Sequence, residues 1–215
     1  MRCVLFLLLI IVPNMLYAQK DSKIDDEIKE QVKLKVGMLC EYISTIADNI
    51  KPTETARINR MHLKNKALSL FIGKGDSYEE NGVTKKGVVM AVTSTNRTSI
   101  RRPLMKNYLT GLVNLDKRYG KVNIRSVEFI GIKMSNLQPH PTAENMYICT
   151  CDVEVYQPYS GLDQLGICGE RNIKRIKCYI NFSESIDIIS GDVVYEPRVL
   201  LGDIEAIESV KLNND

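Results

Sequence analysis

The 215-residue sequence contains no tryptophan, two histidines and six cysteines. These counts exclude a histidine-rich metal site and a dense disulfide scaffold. His62 and His140 belong to no metal-ligand spacing and adjoin no nucleophile motif, so we expect both to be structural or solvated. Hydrophobic residues make up 44% of the chain, which excludes a disordered protein, and the length favours a single domain over a large multidomain enzyme.

The sequence also lacks an apolar run long enough to cross a membrane, which takes about 20 residues. Its longest such run, Val4 to Val12, follows the basic Arg2 and precedes the small residue Ala18. This pattern is typical of a secretory signal peptide with a cleavage point near Ala18. We therefore predict a signal peptide over residues 1–18 and a single domain over residues 19–215. The protein is expected to be secreted or periplasmic and not to span the membrane.

After the predicted signal peptide, the spacing of the apolar residues follows a helical period most clearly. Between Ile24 and Ile50, apolar residues recur at steps of three and four, which predicts one face of a long amphipathic helix. Pro52 ends that helix, and Thr53 caps a second helix that stops at Gly73. We expect the two helices to form a hairpin. The predicted apolar positions are Ile28, Val32, Val36, Leu39, Ile43 and Ile46 in the first helix, and Ile58, Met61, Leu68 and Ile72 in the second.

The rest of the chain is predicted to be mostly strands. Asn81-Gly82 indicates a tight hairpin turn, and Val88 to Thr95 a strand. Pro103 opens a third helix that is expected to end near Tyr119-Gly120. Helices followed by antiparallel strands indicate an α+β fold rather than an alternating parallel one. The later strands are predicted at Val122–Met134, Met146–Tyr156 and Ile173–Phe182, with one or two more between Ile186 and Leu212.

The strand that begins at Val122 has an interrupted alternation. Its apolar residues change phase between Phe129 and Ile130. Such a phase change is typical of a β-bulge, and bulges bend sheets. A curved sheet packed on helices can enclose a pocket. The alternative is that the alternation is simply irregular here.

Four segments together resemble a known architecture. They are Ala67–Phe71, Pro103–Leu109, the bent strand after Tyr119, and Leu200–Ile204. Their order is similar to the cone-shaped α+β fold of the nuclear transport factor two-like superfamily, which is related in shape to cystatin-like folds. The resemblance implies a helical hairpin and a third helix on a curved antiparallel sheet. That superfamily includes isomerases, dehydratases, binding domains and exported proteins, so the fold does not select a function.

The cysteines fall on core-facing positions of the predicted strands. Alternation places Cys149 and Cys151 on one face, opposite Asp152, and Cys178 on a core-facing position of the next strand. Same-face neighbours lie roughly 6.5–7 Å apart, which argues against a zinc site and against a Cys149–Cys151 bridge. Two interpretations stay open: small buried thiols, or one cross-strand disulfide from Cys149 or Cys151 to Cys178, with Cys151 and Cys178 as the candidate pair. Cys168 is expected in an exposed turn. No metal site or cofactor is predicted.

No catalytic constellation is visible in the sequence. In the enzymes of the superfamily that the chain resembles, the acid–base site lies in the cone. A corresponding site in this chain would need titratable side chains that project into the cone. Nothing in the spacing brings such residues together. The weak candidates are His62, Tyr78, Glu128, Tyr147 and Asp152.

Charge is unevenly distributed along the chain. Residues 51–121 hold 15 Lys and Arg against 5 Asp and Glu, whereas residues 183–215 hold 2 against 8. One interpretation is two solvated faces that attract each other within or between molecules. The other is a surface for an anionic partner such as an acidic glycan, a lipid headgroup or a protein; export argues against nucleic acid. The candidate residues of that surface are Arg57, Arg60, Lys64, Lys85, Lys86, Arg101 and Arg102.

These features favour a non-catalytic binding or assembly protein of the bacterial cell envelope. Its partner is expected to be an envelope protein, a glycan or a small ligand. One alternative is a small acid–base enzyme of the isomerase or dehydratase kind, with its site in the cone. Another is a self-associating structural protein, for instance a homodimer, because the basic and acidic segments are complementary.

Overall fold

The computed structural model describes residues 3–48, 53–94, 97–114, 123–124, 128–160, 168–186 and 193–212. Within them lie helices α1 (Cys3–Asp48), α2 (Glu54–Leu68) and α3 (Met105–Val113), and a short 3-10 helix, Ile72–Gly75. The fold is α+β with antiparallel sheets, as predicted. The strands are β1 (Tyr78–Glu80), β2 (Val83–Lys85), β3 (Val92–Ser94), β4 (Arg97–Arg101), β5 (Asn123–Ile124), β6 (Glu128–Met134), β7 (Gln138–Pro139), β8 (Met146–Ser160), β9 (Cys168–Ile186) and β10 (Val193–Leu212).

Helix α1 buries the predicted apolar face. The side chains from Ile28 to Ile46 at steps of three and four are all nearly inaccessible, because they form the inner stripe of a helix packed on the sheet. The helix starts at Cys3 rather than at Ile24, so it includes the segment predicted as a signal peptide. Its predicted end at Ile50 lies outside the described residues.

Helix α2 begins at the predicted residue, but the side of the helix that is buried differs from the predicted one. The Thr53 hydroxyl accepts a hydrogen bond from the Ala56 amide at 3.2 Å and caps the helix. The helix ends at Leu68, before Gly73. The prediction that Ile58 belongs to the apolar face is wrong, because its side chain is 58% exposed. The inner face is formed instead by Ala56, Arg60, Lys64, Ala67 and Leu68.

The segment after α2 contains the predicted hairpin. Strands β1 and β2 pair around Asn81 and Gly82, both of which have positive φ, as a two-residue hairpin turn requires. The strand predicted at Val88 to Thr95 is shorter and appears as β3, which pairs with β4, a strand that was not predicted. Helix α3 starts two residues after Pro103. Its predicted end near Tyr119-Gly120 lies outside the described residues.

The main sheet has the strand order β10-β9-β8-β5, with β6 and β7 also pairing with β8. The β6–β8 register shifts between Phe129 and Gly131, which leaves Ile130 as the extra residue and confirms the predicted bulge. Of the strand predicted from Val122 to Met134, the structure describes β5 and β6, and residues 125–127 lie outside the described residues. Cys168 and Gly169 lie in β9, so the prediction of a turn at these two residues is wrong.

The middle of the sheet is covered on both faces. Cys149, Cys151 and Val153 of β8 point to the same side as Ile176 and Cys178 of β9, and all are buried, as the alternation predicted. Tyr179, on the opposite face of β9, is also buried. Helix α1 makes its main sheet contacts with the outer strands β10, β5 and β6.

The outer edge of β10 is closed by side-chain and main-chain hydrogen bonds. The Gln31 amide of α1 donates to the Pro197 carbonyl and accepts from the Val199 amide at 3.2 Å. Farther along, the Leu201 amide donates to the Leu70 carbonyl and the Ile204 amide to the Val89 carbonyl, each at 2.9 Å. These contacts satisfy edge groups that would otherwise be free to pair with another chain.

Gly202 of β10 lies against Tyr179 of β9. A Cβ atom at this position would lie 2.6 Å from Cε2 of Tyr179 and 3.1 Å from the Lys177 carbonyl oxygen. We predict that Gly202→Ala lowers the free energy of unfolding by about 1–3 kcal/mol, because the overlap forces strand or ring to move. Denaturant unfolding measures this change.

The matched control is Gly111→Ala, in the exposed interior of α3, where an added Cβ meets no atom within 4 Å. This variant is expected to gain about 0.4–1 kcal/mol, because alanine restricts the unfolded chain. Equal stability of the two variants would contradict the packing described for Gly202.

Candidate functional site

A cleft of about 860 Å³ opens at one end of the sheet. It lies between the part of α1 around Ile24 and the neighbouring ends of β8, β9 and β10, and Leu137 adjoins it. These elements come from distant parts of the sequence and meet because β8, β9 and β10 are consecutive antiparallel neighbours. The cleft is lined by Ile24, Asp25, Glu27, Leu137, Asn145, Tyr147, Phe182, Glu184, Val193, Val194 and Tyr195.

Most of the cleft wall is apolar or aromatic. Tyr147 and Phe182 pack edge to face with ring centroids 5.5 Å apart. On the neighbouring strand β10, Val193 and Tyr195 are 56% and 48% exposed. Apolar side chains gathered in a concave site and left open to solvent are typical of binding surfaces.

The polar side of the cleft is acidic. Asp25 and Glu27 contribute carboxylates from α1, and Glu184 contributes one from β9. No Lys or Arg side chain is among the lining residues of the described chain. Three carboxylates beside an apolar wall raise the local concentration of cations and disfavour anionic ligands.

A buried polar network on the other face of the sheet anchors the β1–β2 hairpin. The Glu80 carboxylate accepts hydrogen bonds from the Tyr179 hydroxyl and the Lys177 ammonium, and Lys85 lies 3.8 Å away. The Tyr78 ring meets the Tyr179 ring edge to face at 6.3 Å. The network joins the hairpin to β9 and covers Tyr179.

The pKa values in this network follow from burial and hydrogen bonding. Burial raises the pKa of Glu80, but the hydrogen bonds from Lys177 and Tyr179 outweigh it and hold that pKa below its usual value. Burial, the hydrogen bond to Glu80 and the nearby charge raise the pKa of Tyr179. Burial, then the charge of Asp203, raise the pKa of Tyr78 to about 12. Both tyrosines therefore stay neutral, and the Tyr179 hydroxyl stays a hydrogen-bond donor to Glu80.

The five acid–base candidates occupy separate environments. His62 is exposed on α2, and Tyr78 belongs to the Glu80 network. Tyr147 lines the cleft. Asp152 lies on the outer face of β8, where it accepts two hydrogen bonds from Arg175 at 2.7 and 2.8 Å. For Glu128 the structure describes the backbone, which pairs with Tyr156 in the sheet. The structure does not assemble the other four candidates into one site.

His140 has a structural role. It is buried, and its Nδ1 accepts hydrogen bonds from the amides of Thr142 at 3.2 Å and Ala143 at 3.0 Å. An accepting Nδ1 places the proton of the neutral ring on Nε2. The ring centroid lies 6.2 Å from that of Tyr179, so the histidine helps to cover the same face of β9.

The cysteines converge more closely than the sequence suggested. Cys149, Cys151 and Cys178 are buried free thiols in the structure, which corresponds to the first of the two interpretations, and the alternative disulfide with Cys178 is not formed in it. Cys149, not Cys151, lies directly opposite Cys178 in the register. The expectation that Cys149 and Cys151 are too far apart to share a ligand is wrong, because their side chains tilt together and bring the Sγ atoms to 4.0 Å.

The basic surface is smaller than predicted. Arg60 and Lys64 are 3% and 8% exposed, so they do not belong to an open surface; their placement on the inner face of α2 follows from how that helix packs. Their long apolar stems make such a position tolerable. Arg57 is exposed and paired with Glu54 at 3.0 Å. The exposed members of the predicted set are Arg57, Lys85, Lys86, Arg101 and Arg102.

Comparisons of the chain with protein-family models, with curated proteins and with solved structures found no match. Within the part of the chain that the structure describes, no helix combines the length and the apolar character needed to cross a membrane.

Sequence reasoning missed most of the cleft. It singled out Tyr147 but not Asp25, Glu184 or Tyr195. The available signal was the run Val193-Val194-Tyr195, which is apolar on both strand faces, although only one face of an edge strand can point to the core. Such a run indicates either burial on both faces or an exposed apolar patch.

We predict that Glu80→Gln lowers the free energy of unfolding at pH 7 by about 1–3 kcal/mol, since the Lys177 ammonium and Tyr179 hydroxyl lose their charged acceptor. The pKa of Glu80 is lower in the folded than in the unfolded protein, so its stabilisation is present above about pH 4.3 and is lost as the pH falls through the folded pKa. Denaturant unfolding at several pH values measures both effects.

Glu79→Gln is the matched control, because Glu79 is the exposed neighbour of Glu80 on β1. It is expected to change the free energy of unfolding by less than about 0.5 kcal/mol. A stability difference between wild type and Glu80→Gln that grows as the pH falls below 4 would contradict the network described here.

Proposed function

We propose that the chain is an exported, non-catalytic binding protein of the bacterial cell envelope, and that its cleft binds an apolar ligand that carries a positive charge. The observation that carries this proposal is the combination of an exposed aromatic and aliphatic wall with three carboxylates, and with no Lys or Arg among the lining residues that the structure describes. A ligand with an apolar body and a cationic group is complementary to both parts.

The size and chemistry of the cleft support a small ligand. Its volume of about 860 Å³ falls in the range typical of small-molecule sites. The apolar body of a ligand would cover Val193 and Tyr195, which the fold leaves exposed. Its cationic group would lie near Asp25, Glu27 and Glu184, and the rings of Tyr147 and Tyr195 offer further attraction for a cation.

The proposal also includes export by a signal peptide and a cone-like architecture. The signal peptide over residues 1–18 would direct the protein out of the cytoplasm, with cleavage near Ala18. The helical hairpin, the curved sheet and the cone-like shape of the nuclear transport factor two-like superfamily would place the cleft at the open end of the cone. The bulge in β6, and the contacts of α1 with the outer strands, support a curved sheet.

Binding is favoured over acid–base catalysis by the positions of the titratable groups. Among the described residues, the candidates from the sequence lie in different environments, and the most connected carboxylate, Glu80, is held by Lys177 and Tyr179 within a hairpin anchor. A general acid–base site needs titratable groups that converge on one substrate. The cleft brings three carboxylates together, but His62, Tyr78 and Asp152 lie elsewhere.

Decylammonium is a suitable probe, with decyl sulfate as the anionic molecule of equal chain length. Isothermal titration calorimetry below the micelle concentration is expected to show binding of decylammonium and much weaker binding of decyl sulfate. Glu184→Lys should weaken decylammonium binding by about three- to tenfold, because one attraction becomes a repulsion. The effect should shrink at high salt.

Glu208→Lys is the control, because Glu208 is an exposed carboxylate on β10 outside the cleft lining. It makes the same change in net charge and is expected to leave the affinity within about twofold. If decyl sulfate binds as tightly as decylammonium, or if the two variants weaken binding equally, the cleft is not the site of a cationic ligand.

A further inference from the structure

Three thiols meet at the middle of the main sheet. Cys149 and Cys151 are same-face neighbours on β8, and Cys178 lies opposite Cys149 on β9. The Sγ atoms of Cys149 and Cys151 are 4.0 Å apart, and all three Sγ atoms lie within 4.8 Å of one another. We call these residues the thiol cluster. Each is at most 2% exposed.

The spacing of the sulfur atoms suits a shared metal ion. A metal–sulfur bond is about 2.3 Å long, so three sulfurs around one ion are about 4.0 Å apart in a trigonal plane and about 3.8 Å apart in a tetrahedron. The Cys149–Cys151 distance already has the trigonal value. Cys178 needs to move by no more than a side-chain adjustment.

We propose that the thiol cluster binds a soft monovalent metal ion, with Cu(I) as the fitting ion, in a three-sulfur site. Thiolate ligands select soft ions such as Cu(I). Zn²⁺ fits less well because structural zinc sites take four protein ligands, and the described groups of His, Cys, Asp and Glu supply only these three close ligand atoms.

The apolar surroundings of the cluster limit the net charge that the metal site can carry. The neighbours of the thiols on the same strand faces are Val153, Ile176 and Ile180, which are all buried, and Tyr147, which lines the cleft. Burying net charge in such a core is costly. One Cu(I) that replaces a single thiol proton leaves the site neutral, whereas three thiolates around a monovalent ion would leave two uncompensated negative charges. Uptake of one Cu(I) by the fully protonated cluster therefore releases one proton, and two thiols remain as neutral sulfur ligands.

The cleft lies close to the cluster. Tyr147 lines the cleft and lies two residues before Cys149 on the same face of β8, a distance of about 7 Å along the strand. On β9, Phe182 of the cleft wall, Ile180 and Cys178 follow one another on the same face. The carboxylates at the cleft would attract cations to this end of the sheet.

The test uses the full chain carrying Cys3→Ser and Cys168→Ser, so that the remaining thiols are Cys40 and the cluster. Anaerobic titration with Cu(I), against a chromogenic Cu(I) chelator and with reductant present, is expected to give one bound ion per chain. X-ray absorption of that complex should show about three sulfur neighbours near 2.3 Å and no oxygen or nitrogen neighbour.

Single Cys→Ala variants at 149, 151 and 178 are expected to weaken Cu(I) binding by at least about 100-fold, because even the loss of an indirect partner of a metal ligand costs 10–100-fold. Cys40→Ala is the matched control: Cys40 is also a buried free thiol but lies outside the cluster, and its loss should leave binding unchanged. Circular dichroism checks that each variant is folded.

Several results would overturn the proposal. They are no Cu(I) uptake by the reduced protein, equal binding by the cluster variants and Cys40→Ala, or a copper shell with two sulfurs or with oxygen or nitrogen neighbours. Zn²⁺ binding as tight as that of Cu(I) would also overturn it. The sulfur count is measured on the protein with an intact cluster, so it decides the question even if an alanine variant does not fold.

Discussion

The apolar stripe of α1 must be covered, and the inner face of the main sheet covers it. This one packing contact determines most of the structure. It requires the inward positions of β8 and β9 to be apolar, and it brings Gln31 against the edge of β10, where its amide satisfies the main chain of Pro197 and Val199. A hydrophobic stripe of this length contributes more to folding than the intrinsic propensity of the helix.

The two ends of the sheet differ because only its middle is closed on both faces. There α1 covers one face, and the hairpin held by Glu80 covers Tyr179 on the other. At the end of the sheet near Ile24 of α1, the apolar residues at the start of β10 stay exposed. The cleft is therefore what the packing leaves open, and its carboxylates determine which ligands suit it.

Local periodicity made much of this fold predictable. The α1 stripe, the Asn81-Gly82 turn, the bulge at Ile130 and the inward cysteines all follow from residues close in sequence. Features that depend on distant residues were not predictable. The rotation of α2 that buries Arg60 and Lys64 is decided by tertiary packing, and the cleft combines parts of α1 with strands more than 100 residues away. The convergence of the thiols was missed because strand spacing fixes the backbone positions, while side-chain rotamers bring the Sγ atoms together.

Hydrogen–deuterium exchange with and without decylammonium tests most directly whether the cleft is the binding site. Ligand in the cleft should slow exchange at the backbone amides around residues 24–27 and 193–195, since both segments line it. The same amides should exchange at an unchanged rate with decyl sulfate. Protection confined to residues 51–121, where basic residues are concentrated, or no protection at either cleft segment, would contradict a cationic ligand bound in the cleft.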